Sequence, residues 1–144
     1  TGLYQQRQPS GVIEVRVRGD AFDRLAELAR ANERFDVVIL DPPAFAGSRA
    51  EVPQALSAYA RLTRLGLGVL RPGGTLMLSS CSGQVSEKEF FAAIHYAASR
   101  VKRPLKELAR TGQPFDHPVR FAEGAYLKCL FARAPGARTD KLRR

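Results

Sequence analysis

Phe35-Asp36-Val37-Val38-Ile39-Leu40-Asp41-Pro42-Pro43-Ala44-Phe45 joins a continuous apolar run to an acidic turn fixed by two prolines. A short run such as Val37 to Leu40 suits a strand buried on both faces of a parallel sheet, and in such sheets ligands sit at the carboxyl ends of the strands. Asp41 stands at that end. The prolines bias Asp41 and Pro42 towards extended geometry and remove two backbone donors, which leaves carbonyls and a carboxylate facing the crevice. Such a site accepts hydrogen bonds, as an amine or a base edge would offer them. The competing reading makes Asp41 a plain turn former.

Outward from this stretch, strands and helices alternate. Ile13, Val15 and Val17 alternate with Val12, Glu14, Arg16 and Arg18, the period of a strand with one face buried, closed by Gly19-Asp20. Phe22, Leu25, Leu28 and Ala29 recur at helical spacing before the Phe35 strand. From Pro53, the positions Leu56, Tyr59, Ala60, Thr63, Leu67 and Leu70 mark a second helix, which Arg71-Pro72-Gly73-Gly74 ends as a turn before a strand at Thr75 to Ser79. Ser86 and Glu89 form a capping box for a third helix that runs towards Pro104. A strand near Leu105 to Ala109, a polar loop from Gly112 to Gly124 and a strand at Tyr126 to Arg133 predict a terminal antiparallel hairpin. The predicted class is α/β, an open sheet covered by helices on both faces. The expected units are an irregular segment at 1–11, one domain at 12–134 and a basic disordered tail at 135–144.

The 144 residues are 44% apolar, enough for one core. Twenty-three Lys and Arg against fourteen Asp and Glu leave a net charge of +9, which favours a polyanionic partner such as RNA, DNA or an anionic surface. No apolar stretch reaches the roughly 18 residues of a membrane span and no signal-peptide layout opens the chain, so a cytoplasmic protein is expected. Cys81 and Cys129 are too few and too far apart for a disulfide framework or a paired zinc site, so no metal is expected. Cys81 follows an apolar strand in Ser79-Ser80-Cys81-Ser82-Gly83, which places it along the same carboxyl edge as Asp41. A thiol there is either a packing residue or a nucleophile whose thiolate is the reactive form. Cys129 lies within a strand pattern and reads as structural.

Asp41-Pro42-Pro43-Ala44-Phe45-Ala46, Pro72-Gly73-Gly74, Ser80-Cys81-Ser82, Asp116-His117-Pro118-Val119 and Glu123-Gly124-Ala125-Tyr126-Leu127-Lys128 together resemble the bacterial large-subunit (23S) ribosomal RNA cytosine-5 methyltransferases. The resemblance runs from about residue 12 to 133. It implies a Rossmann-like class I fold and S-adenosyl-L-methionine as cofactor. It implies that Asp20, Ala21 and Phe22 hold the adenine, the carboxylate accepting from its amino group, and that Asp41, Pro42 and Pro43 border the methionine moiety and the target base. It further implies that Cys81 is the nucleophile and that Asp41 hydrogen-bonds the base. Carbon 5 of cytosine is a poor nucleophile until a thiolate adds at carbon 6, which is why this chemistry needs a cysteine. Arg49 and Lys128 are candidate phosphate contacts against the alternative of solvated charges. Phe45 either stacks on a base or seals the core, and His117 either touches RNA or makes local hydrogen bonds.

Measured against that family, residues 1–11 hold no apolar strand and no Gly-x-Gly, so the chain is expected to begin within the catalytic domain, two strands short. The strands at Val12 to Arg18 and at Phe35 to Leu40 would then lose their neighbours. Such edges pair with a second copy, close on the chain itself or stay unfolded, so a rearranged sheet or a homodimer is expected. Loss of the glycine-rich loop predicts no detectable S-adenosylmethionine binding by this chain alone. Two other readings stand beside the leading one: methylation of an exocyclic amine, which needs no cysteine, and an inactive or RNA-binding remnant.

Overall fold

The computed structural model describes residues 3–7, 10–11, 13–114, 116 and 124–136. In chain order the elements are β1 (Leu3–Arg7), β2 (Ile13–Val17), α1 (Ala21–Arg30), β3 (Phe35–Leu40), a 3-10 turn (Arg49–Glu51), α2 (Val52–Val69), β4 (Leu70–Ser80), α3 (Glu87–Arg100), β5 (Lys106–Thr111) and β6 (Lys128–Arg133). His117 and residues 137–144 of the expected tail lie outside the described residues.

Four strands form one mixed sheet in the order β3-β4-β6-β5. β3 and β4 run parallel, Val38 beside Leu76 and Leu40 beside Leu78, with α2 as the crossover between them. β6 is antiparallel to both β4 and β5, which is the expected terminal hairpin. Because side chains alternate along a strand, Val38, Leu40, Leu76, Leu78, Leu130 and Ala132 share one face, and the core cluster joins them to Tyr59 and Leu67 of α2 and to Phe90 and Ile94 of α3. Gly66 lets α2 approach this closely, since a Cβ there would stand 2.8 Å from the Leu40 side chain. The Ser86–Glu89 capping box starts α3 as the sequence predicts, and its apolar stripe is buried.

Several expectations change. Among the described residues the helices cover only this face: on the other, Val37 is 57% and Ile39 67% exposed. Leu3–Arg7 is a strand, not irregular chain, and it pairs antiparallel with β2 from Leu3↔Val17 to Arg7↔Ile13. That ribbon stands apart from the main sheet, so one edge of β2 is closed by the chain itself while, among the described residues, β3 keeps an open edge. Val15 and Val17, expected to face a core, are exposed. Pro72-Gly73-Gly74 does not separate a helix from a later strand. β4 already pairs at Leu70 with Phe35, then advances to Thr75 by the time β3 has reached Val37, and the slack is taken up at Gly73, whose φ of 80° suits glycine. Ala134 secures this bulge by accepting from Gly73 N at 2.6 Å and donating to Gly74 O at 3.0 Å.

Candidate active site

The carboxyl end of β3 and the N-terminus of α1 enclose a cleft of about 410 Å³, lined by Gly19 to Phe22, Ile39 to Pro43, Phe45 and Leu62. Asp20 is there because it is the N-cap of α1: its Oδ1 accepts from the amides of Phe22 (2.9 Å) and Asp23 (3.2 Å). One turn of helix therefore fixes both the carboxylate and the Phe22 ring. The Arg61 guanidinium lies 4.8 Å from the centre of that ring, and Phe45 packs between Phe22 and Tyr59 with centroid distances of 6.3 and 5.0 Å. Phe45 thus both borders the cleft and closes the core beneath it. The volume lies within the range of roughly 300–1,000 Å³ of small-molecule sites, and carboxylates beside an aromatic ring suit an adenine with its exocyclic amine.

Asp41 extends past the last pairing of β3 and accepts a hydrogen bond from the Ser79 hydroxyl on β4. Cys81, half-buried, comes two residues after Ser79, beyond the end of β4. It is not among the residues that line the cleft. Asp20, Ala21, Phe22, Asp41, Pro42 and Pro43 are therefore brought together, with Cys81 placed beside them rather than within the same wall. Both neighbours of Cys81 are pinned: Ser80 Oγ shares a 2.7 Å hydrogen bond with the Tyr59 hydroxyl, and Ser82 Oγ donates to Ala46 O at 2.9 Å. Burial is the main cause that raises the Tyr59 phenol above its ordinary value. Cys129 lies opposite Ser79, and burial raises its thiol, with Thr111 opposing and Asp41 adding to the shift. A thiol so held is not the reactive one.

Two candidate phosphate contacts are placed differently from expectation. Lys128 is neither on the surface nor a solvated charge. It is 4% exposed, and its Nζ donates to Ser82 O at 2.7 Å and Tyr126 O at 3.0 Å, because its register opposite Ser80 turns it towards the helix layer. Burial lowers its ammonium below the ordinary value, against the opposite pull of Glu87 and Cys81. Arg49 is exposed but engaged, donating to Gln84 O and to both carboxylate oxygens of Glu89. Sequence reasoning did not single out Ser79 or give Tyr59 a role near Cys81. The signal for Ser79 was available, since a hydroxyl one strand over from Asp41 is where a parallel neighbour places it.

The sheet order and the position of the cleft define a Rossmann-like α/β fold of the methyltransferase type. A solved methyltransferase structure complexed with SAH superposes with a TM-score of 0.67 at 25% identity, over 80% of this chain and 30% of that one. The chain is homologous to bacterial ribosomal RNA large subunit methyltransferases. It is 38% identical over 120 residues to ribosomal RNA large subunit methyltransferase I of Aeromonas salmonicida, covering 82% of this chain and 30% of that protein. It is 40% identical over 115 residues to a ribosomal RNA large subunit methyltransferase of Deinococcus radiodurans, covering 80% of this chain and 28% of that protein. The chain thus spans less than a third of the curated relatives it matches. No protein-family model matches it.

Proposed function

We propose that this chain carries part of the catalytic machinery of an S-adenosylmethionine-dependent methyltransferase that modifies carbon 5 of cytosine in RNA, with large-subunit ribosomal RNA as the substrate. The observation that carries the reading is the convergence of Asp20 to Phe22 and Asp41 to Pro43 on one cleft, with Cys81 at the end of the adjacent strand. In this reading Asp20 and Phe22 hold the adenine, and Asp41 with its prolines borders the methionine moiety and the base. The cofactor supplies a methyl group on a sulfonium. Cys81, as thiolate, bonds to carbon 6 of the cytosine and makes carbon 5 nucleophilic; after carbon 5 gains its methyl group it loses its proton to a base, and the carbon–sulfur bond breaks to restore the ring and the thiolate. Asp41, held by Ser79, hydrogen-bonds the cytosine so that the adduct is stabilised. The charge of +9 favours the polyanion. The open edge of β3, flanked by Val37 and Ile39, favours pairing with a second copy.

The test is methylation of large-subunit ribosomal RNA, with labelled cofactor, by a full-length relative in which this chain replaces the matching segment, followed by mass spectrometry of the nucleosides. 5-Methylcytosine is expected, and Cys81→Ala abolishes it while the circular dichroism spectrum stays unchanged. Activity retained in Cys81→Ala sinks the thiol mechanism and favours an exocyclic amine as acceptor. Salt-sensitive RNA binding with no methylation favours the binding remnant.

A further inference from the structure

Burying an ammonium without a full countercharge costs several kcal/mol, so proteins do it where the charge has a task. Lys128 is 4% exposed, and among the described residues its hydrogen-bond acceptors, Ser82 O and Tyr126 O, are neutral carbonyls. A neutral donor would satisfy them equally well. One of them belongs to the residue directly after Cys81, and the residue directly before it is held by Tyr59. The segment is pinned on both sides, and Cys81 between the pins remains partly open to solvent. The ionisable groups that act on this point are Lys128 of β6, Tyr59 of α2 and Glu87 of α3; Asp41, at the end of β3, acts on Cys129.

We propose that Lys128 is a positioning residue for Cys81, its ammonium fixing the Ser82 carbonyl and presenting a buried positive charge to the sulfur. The inference rests on the reading of Cys81 as nucleophile and deepens it. It replaces a surface contact to RNA phosphate with an internal role.

The experiment is the rate of alkylation of Cys81 by iodoacetamide, in a Cys129→Ala background of the whole chain, compared with Lys128→Gln and Lys128→Met. Gln keeps a donor for Ser82 O without the charge; Met removes both. At about pH 7 both variants react roughly tenfold more slowly than the parent, because the thiolate is the reactive form and a nearby cation favours it. At about pH 10, where an ordinary thiol is largely ionised without help from a cation, the Gln variant and the parent converge. Equal rates at the lower pH, or an equal deficit of the Gln variant at both, overturn the proposal, the second outcome showing loss of packing alone. Failure of Lys128→Gln to fold also counts against it, since the charge would then serve the fold. Neither RNA nor cofactor enters this measurement. Methylation by Cys81→Ala would refute the thiol mechanism while the alkylation rates still report what Lys128 does.

Discussion

The two faces of the sheet have the same kind of sequence and opposite fates. On β3, Val38 and Leu40 are buried against α2, while Val37 and Ile39, one residue away and equally apolar, are 57% and 67% exposed. On β4, Leu76 and Leu78 are sealed beneath the helices, and Met77 between them is only half-buried. Hydrophobicity along a strand therefore reports that two faces want cover; which face receives it depends on the elements present to supply it. The stability of this chain should reside on the helix face and its stickiness on the other.

The largest effect should come from the covered face. Leu78→Ala empties a fully buried site and is expected to cost about 2–5 kcal/mol, read from urea unfolding; a loss below about 1 kcal/mol would mean that the layer is loosely packed. Next comes Tyr59→Phe, which removes one of the two buried partners of the Ser80 hydroxyl, the Ser82 amide being the other, and should cost about 1–2 kcal/mol. On the same face Glu107 bridges His95 of α3 and Arg110 of β5. The Arg110 hydrogen bonds, then that of His95, hold its carboxyl at about 2 against an ordinary 4.5. A depressed carboxylate stabilises the fold above its unfolded value, and that contribution fades as pH falls from 4.5 through about 2. Thermal scans across this window should show Glu107→Gln with a shallower acid decline than the parent, and parallel curves would remove Glu107 from the account. On the open face the smallest change is expected: Ile39→Thr should move stability by no more than about 0.5 kcal/mol, yet reduce self-association in sedimentation velocity. A large destabilisation there would show that Ile39 is covered in solution.

Much of this was legible beforehand. The 2.0 and 3.6 periods located the later strands and all three helices, and the Ser86 cap and the terminal hairpin followed from local chemistry. What the sequence hid was relational. Leu3–Arg7 lacks a strand-like pattern and forms one because β2 offers it an edge. Pro72-Gly73-Gly74 has the composition of a turn, and only its hydrogen bonds to Ala134 show a bulge inside β4. Sequence alone puts Lys128 on the surface, where lysines usually are, and its pairing opposite Ser80 sends it inward. At the site, Asp20 and Asp41 can each be picked from their own local sequence, whereas the Ser79 hydroxyl that steadies Asp41 follows only from setting the ends of two parallel strands in register.

The Asp20 carboxylate has two employments: it lines the cleft and it accepts from the amides of Phe22 and Asp23. Any ligand that competes for its lone pairs must be felt by those two amides, and any ligand that stiffens the carboxylate must protect them. Their hydrogen-exchange rates thus form a reporter of cleft occupancy built into the first turn of α1, readable without a label and without turnover.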